Sequence, residues 1–371
     1  MQLPPFLLDQ WLAAHEFASP PVRYNLAAST GPVWTLGELL ALGEGSLRKE
    51  LDELNVSYIP PEGTLALRCA IAELADVSPE WVVVTTGASE ALSMLFCSAA
   101  GSGGSVVLPH PGFPAFAVMA RAWGLGVATY ELKRASAYAQ DADLVLAAVS
   151  RDTRLVIVNT PHNPTGTIMP RGQMLRLAES LAARGIPLIV DEVYHPLYFQ
   201  APIRSAADLP NAIVVGDFSK ALSLSGLRIG WLIDRDPARR ERLINLRSYF
   251  TVSGSPITEA IAAHALRHRR DVLARLEQVA RQNRAALDVF MHAQAGVLGW
   301  VAPGGGTVAF PWSLDERDTR PMCEALARAG VLVVPGDCFD APANLRIGFG
   351  VQAKGFREAL GVASSVLASM A

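Results

Sequence analysis

Lys220 lies in GDFSKALSLSGLRIG, residues 216–230, directly after Ser219 and with Arg228 eight positions further on. A lysine whose charge is disfavoured by burial presents a free amine, which can form an imine with an aldehyde. Upstream, the apolar run IPLIV ends on Asp191. A carboxylate at the end of a buried strand must find a cation or hydrogen-bond donors, because burying it alone is costly. A protonated heterocyclic nitrogen would satisfy it. Tyr194, three residues later, can donate a hydrogen bond to a phenolate oxygen, and Asn163 occupies the proline-rich turn NTPHNPTG. In TTGASEAL, a β-branched strand gives way to a helix at Gly87, Ala88 and Ser89. Free backbone N–H groups there, with the Ser89 hydroxyl, can hold a phosphate. Taken together, these residues suit a cofactor with an aldehyde, a phosphate and a pyridine ring. Taken singly, each has a plainer reading: a solvent-facing lysine, an Asp191–Arg228 pair, a turn-forming asparagine, a packed tyrosine.

The elements that must hold these residues alternate along the chain. WVVVTT, SVVLPH, GVATYEL, RLVIVNT, IPLIVDEVY, AIVVG and GLRIGWLI read as short strands, most of them separated by helical segments. Such alternation predicts an α/β fold, a mostly parallel sheet sandwiched by helices. Parallel sheets bind ligands at the carboxyl ends of their strands, where the polar residues above fall. Beyond residue 235 come long helical stretches, with a break expected near residues 268–274, and then short strands around GGGTVAFPW, GVLVVPG and NLRIGFG. The expected organisation is a large domain over residues 46–281 and a smaller α+β domain over 282–371. Residues 1–45, with Pro4, Pro5, Pro20, Pro21 and Pro32, read as irregular except for a short helix at LGELLAL. That segment is expected to pack on the small domain and on a dimer partner.

Composition removes several function classes. The chain has 371 residues, 50% of them hydrophobic and 18% charged, enough for a large core and a second domain. A formal net charge of -3, without a basic block or an aromatic–basic ribbon, argues against nucleic acid as a partner. Cys69, Cys97, Cys323 and Cys338 are dispersed without CxxC spacing, so neither a metal site nor a disulfide framework is expected. No apolar run reaches membrane-spanning length, and a cytoplasmic location is the default expectation.

The stretches TTGASEAL, PHPGFPAF, VNTPHNPTG, IVDEVY, DFSKALSLSGLRIG and NLRIGFG, in that order, resemble the class I/II aminotransferases of fold type I. These are pyridoxal-phosphate enzymes, and the likeness spans essentially the whole chain. The resemblance implies that Lys220 is the Schiff-base lysine and proton carrier. It implies that Asp191 pairs with the pyridine nitrogen, and that Asn163 and Tyr194 bind the phenolic oxygen. Phe113 would stack on the ring; Gly87, Ala88, Ser89, Ser219 and Arg228 would surround the phosphate. Arg346 would clamp the substrate carboxylate in two-pronged fashion, with Asn163 beside it. Tyr58 would reach the phosphate in the neighbouring subunit, which implies a homodimer. One position departs from the family pattern: Asp217 stands where serine or threonine is common, and a carboxylate beside a phosphate is repulsive unless it turns away or meets Arg228. Among His110, His162 and His195, His162 adjoins Asn163 and is the one expected to touch substrate.

The resemblance implies transfer of an amino group from an L-amino acid to a 2-oxo acid. The same catalytic core supports elimination or cyclisation. RYNLAASTGPVWTLGELLAL, INLRSYFTVSGSPITEA, GGGTVAFPW and GVLVVPGDCF are similar to a branch that includes capreomycidine synthase, which dehydrates hydroxyarginine and closes a ring. A guanidinium substrate would call for pocket carboxylates, with Glu16, Asp217 and Asp337 as candidates. A non-catalytic regulator would retain the fold without needing the complete set of Lys220, Asp191, Asn163 and Arg346. A dinucleotide-dependent dehydrogenase would need a full GxGxxG in place of TTGASE.

Overall fold

The computed structural model describes residues 3–16, 18–19, 21–101 and 103–370, so Pro20 lies outside the described residues. Its centre is a seven-stranded sheet. In chain order the strands are β1 (Val82–Thr85), β2 (Ser105–His110), β3 (Gly126–Glu131), β4 (Thr153–Asn159), β5 (Leu188–Asp191), β6 (Ala212–Asp217) and β7 (Gly230–Asp234). Across the sheet they run β1-β7-β6-β5-β4-β2-β3, and only β7 is antiparallel to its neighbours. Apart from the edge strand β3, which is largely exposed, the strands are rich in Val, Ile and Leu because both faces are covered. Val156, Val158, Val190 and Val214 join one apolar cluster, while Leu155, Ile157, Ile189 and Ile213 join another. That strict alternation is the period-two pleat expressed as two cores.

Register gathers the polar ends of the strands at one edge. Asn159 at the end of β4 pairs with Asp191 at the end of β5. Gly230, which begins the antiparallel β7, pairs with both Thr85 at the end of β1 and Asp217 at the end of β6. Neighbouring strands lie about 4.8 Å apart, so these register partners form one polar rim.

After β7 and the helix Pro237–Arg247, two further helices run in series, Pro256–Arg267 and Arg269–Ala293, and the break between them falls at His268, inside the expected region. The expected boundary after residue 281 falls within the second of these helices. Beyond it, Leu345–Gly348 pairs antiparallel with Val308–Ala309 and Val334–Pro335, which places Arg346 on the middle strand of a small sheet.

The N-terminal stretch departs from the irregular segment expected of it. Residues Leu7–Glu16 form a ten-residue helix, α1, with Leu8 and Trp11 buried. Leu8, Trp11 and the partly buried Leu12 stand at i, i+3 and i+4 and so share one helical face. Asp9 in the first turn suits the positive end of the helix dipole. Trp11 Nε1 donates to the Val333 carbonyl at 2.8 Å, and Tyr24–Asn25 pairs in parallel with Val331–Leu332. Proline-flanked and short, α1 is a helix because its apolar stripe has a surface to rest on.

Candidate active site

A cavity of about 470 Å³ opens over the polar rim of the sheet. Lys220 enters it from the turn after β6. Its Nζ donates to Ser29 Oγ at 2.9 Å, and burial pushes its pKa down, opposed by the nearby Asp217 carboxylate. Asp191 enters from the end of β5, 5% exposed. Its Oδ1 accepts a hydrogen bond from the Val193 N–H at 3.1 Å, yet desolvation pushes the carboxyl up to about 7. Among the described residues it has no cation within ion-pair distance, so the plain Asp191–Arg228 pair does not form.

Arg346 closes the opposite side. It is 2% exposed, donates from Nη2 to the Ala27 carbonyl at 2.7 Å and from Nη1 to Asn163 Oδ1 at 3.2 Å, and has no acidic partner among the described residues. Among the described residues its Nε has no hydrogen-bond partner, and burial disfavours its charge. Tyr194 is buried, its Oη without a hydrogen-bond partner among the described residues, and burial raises its pKa to about 12. Asn163 is held from behind, its N–H donating to Asn159 Oδ1 at 2.6 Å, while Asn159 Nδ2 donates to the Asp191 carbonyl at 3.1 Å.

Ala88 and Ser89 line the cavity from the first turn of the helix Gly87–Ala100, facing Ser219 and Arg228. Gly87 has φ +75°, and a Cβ there would stand 2.7 Å from Arg228 Nη2, so the guanidinium lies against bare backbone. A Cβ on Gly230 would lie 2.4 Å from the Gly87 carbonyl carbon, which explains how closely β7 approaches this helix terminus. Arg228 Nη1 reaches Ser219 Oγ at 3.5 Å and the Ser225 carbonyl at 3.2 Å. Asp217 Oδ1 is turned onto the Ser219 N–H at 2.9 Å, and desolvation raises its pKa. Phe113 lines the cavity and meets Phe6 edge-on, with ring centroids 6.2 Å apart.

Other sequence candidates lie elsewhere. Tyr58 is 86% exposed and does not line this cavity. Neither does Glu16; Asp337 borders a neighbouring cavity and is bonded to Arg320 Nε at 2.5 Å. His162, expected to touch substrate, does not line the cavity: it is fully buried, its Nδ1 lies 2.8 Å from Thr165 Oγ1, and desolvation lowers its pKa to about 3. His110 lies beside Glu131 and His195 beside Tyr198, so local bonding accounts for both. Sequence reasoning passed over Asp9, Ser29 and Asn159, all of which line the cavity. Asn159 was findable as the last residue of its strand, and Asp9 through the Leu8–Trp11–Leu12 spacing; nothing local marks Ser29.

Residues 46–362 match the profile of a family described as Aminotransferase class I and II. Capreomycidine synthase of Streptomyces vinaceus is 35% identical over 353 residues, covering 94% of this chain and 90% of its own. Among solved structures, a PLP-dependent aminotransferase from Streptococcus suis 89-1591 superposes with a TM-score of 0.90 at 25% identity, covering 100% of this chain and 99% of its own. The PLP-dependent cyclase OrfR superposes with a TM-score of 0.88 at 28% identity, over 100% and 99% of the two chains.

Proposed function

Because the chain belongs to the aminotransferase class I and II family, whose pyridoxal 5'-phosphate chemistry and fold type it shares, we propose that it moves an amino group from an L-amino acid to a 2-oxo acid. The observation that carries this reading is a pair of unmatched buried charges in one cavity. Among the described residues Asp191 lacks a cation and Arg346 lacks an anion, and the field of both reaches Lys220. An isolated buried charge is costly, and each of these finds its complement only when cofactor and amino acid are in place.

The residues present fit the cofactor. Pyridoxal 5'-phosphate supplies an aldehyde carbon and a protonated pyridine ring that draws electrons from the substrate α-carbon. Asp191 would hold the ring nitrogen in its protonated form. Tyr194, with its free Oη, and Asn163 would bind the phenolic oxygen, and Phe113 would cover the ring. The Gly87–Ser89 backbone, Ser219 and Arg228 would hold the phosphate, with Asp217 turned away onto the Ser219 N–H. Arg346 would grip the substrate carboxylate through its guanidinium fork. Lys220, its charge disfavoured by burial, would take the proton from the α-carbon and return it.

Elimination or cyclisation is the second reading, favoured by the 35% identity with capreomycidine synthase and the likeness to OrfR. A single-turnover experiment on the loaded enzyme with a panel of amino acids, including arginine and β-hydroxyarginine, separates the two. Release of a 2-oxo acid, with the original spectrum restored only by a second 2-oxo acid, supports transfer. Return of the original spectrum without an acceptor, and a product that has lost water but kept its α-nitrogen, supports the second reading and excludes the first.

We extend this reading to a cytoplasmic homodimer. Tyr58, Val56, Tyr249 and Val252 are 86%, 77%, 82% and 50% exposed, and Arg247 donates to the Pro61 carbonyl, joining the two segments that carry them. A second copy seated there would cover this apolar surface and receive Tyr58 in its own cavity. Four unpaired cysteines suit a reducing compartment.

A further inference from the structure

We propose that Asp9 is a specificity-determining residue, the counter-charge for a cationic group at the end of the substrate's side chain. This rests on the pyridoxal-phosphate reading of the same cavity. Asp191, Asp217, Lys220, Arg228, Arg346 and Asp9 are the charged side chains lining the cavity among the described residues. The first five have assignments: ring nitrogen, Ser219 N–H, aldehyde carbon, phosphate and substrate carboxylate. Asp9 is left over. It makes no side-chain hydrogen bond and no ion pair among the described residues, and Lys220, whose Nζ is bonded to Ser29 Oγ, is not within ion-pair distance of it.

Its surroundings specify the shape of what it would meet. Asp9 sits in the first turn of α1, and Leu8 and Leu12 of the same helix line the cavity with Phe6 and Phe113. Asp9 is an exposed residue, yet enough pocket wall surrounds its carboxylate for desolvation to raise its pKa. Apolar lining residues beside one otherwise unassigned acidic group suit a side chain with an aliphatic stem and a terminal guanidinium or ammonium. A guanidinium can take a carboxylate in two parallel hydrogen bonds. A neutral or acidic side chain would leave Asp9 unmatched or opposed.

The test uses the full-length protein loaded with pyridoxal 5'-phosphate. L-arginine, L-lysine and their uncharged counterparts L-citrulline and L-norleucine are titrated while the cofactor absorbance is followed, which gives dissociation constants independently of turnover. The wild type should bind the cationic member of each pair more tightly, and Asp9→Asn should shrink that preference about tenfold or more, the size expected for a lost charge-assisted hydrogen bond. Asp9→Glu should restore most of it. Equal preference in wild type and Asp9→Asn overturns the assignment. So does a change confined to the pH at which the cofactor absorbance titrates, which would make Asp9 an electrostatic neighbour of Lys220 only. Borohydride fixation on Lys220 is run on every variant. Its presence without cation preference sinks the Asp9 inference alone, and its absence from the wild type sinks the cofactor reading as well.

Discussion

At the scale of single residues, the site is a set of side chains whose unsatisfied chemistry is mutually consistent. Lys220→Ala should remove both the near-ultraviolet or visible absorbance of the loaded protein and the adduct fixed by borohydride, read by intact mass; an adduct that persists refutes Lys220 as the attachment point. Asp191 gives a pH-dependent prediction. Its folded pKa is raised above the ordinary carboxylate value, to about 7. Between roughly pH 4 and 7 the folded protein without cofactor therefore holds a proton that the unfolded chain has released. The sign follows: Asp191 lowers the stability of the cofactor-free protein progressively as pH rises through that window, at a rate approaching about 1.4 kcal/mol per pH unit. Asp191→Asn should leave the cofactor-free Tm near that of the wild type at pH 4 and raise it by several degrees at pH 8. The same variant should lose cofactor affinity. A Tm difference that does not change with pH would contradict this account of the Asp191 environment.

At the scale of elements, α1 and the β7–helix contact hold the site from outside its chemistry. Trp11 is 7% exposed, bonds Val333 and lies under the Arg320 guanidinium, 5.3 Å from its ring centroid. Trp11→Ala should weaken the docking of α1 by about 3 kcal/mol, a typical cost of truncating a buried tryptophan. Because α1 is one helix on the surface of a larger core, limited proteolysis should cut near residues 3–16 well before global unfolding, and KM should rise more than kcat falls. Simultaneous loss of all structure would show that α1 is integral to the core. At the other contact, Gly230→Ala would push a methyl group into the Gly87 backbone. The expected result is a loss of about 1–3 kcal/mol of stability, with weakened cofactor retention, since the displaced helix terminus is the one assigned to the phosphate.

At the scale of the molecule, the proposed second copy ties assembly to cofactor retention. Tyr249→Asp, at an 82% exposed position, costs little in an isolated chain but places a charge in the proposed interface. Sedimentation should show a shift from dimer towards monomer, with a parallel loss of cofactor affinity because each cavity loses the other subunit's Tyr58. A monomeric wild type that retains cofactor would dismiss the shared site.

The alternation of apolar strands, the class of fold and several of the polar residues at or just beyond strand ends were legible along the chain, because each depends on patterns within a few residues. Burial on both faces of a strand writes itself as an unbroken run of Val, Ile and Leu, and a strand must end where polar residues begin. Thus Asp191, Asn163 and Lys220 could be singled out without coordinates. The helix at Leu7–Glu16 could not be secured, since ten proline-flanked residues form a helix only against the surface supplied by Val333 and Arg320, more than 300 positions away. Ser29 against Lys220 and Ala27 against Arg346 are likewise contacts across 191 and 319 positions. His162 shows the converse, since adjacency to Asn163 in sequence suggested substrate contact, whereas the turn buries its ring against Thr165. Local sequence determined which groups were available for chemistry; tertiary packing alone decided which of them share a cavity, because a side chain's surroundings are set by segments that its own sequence neighbourhood does not contain.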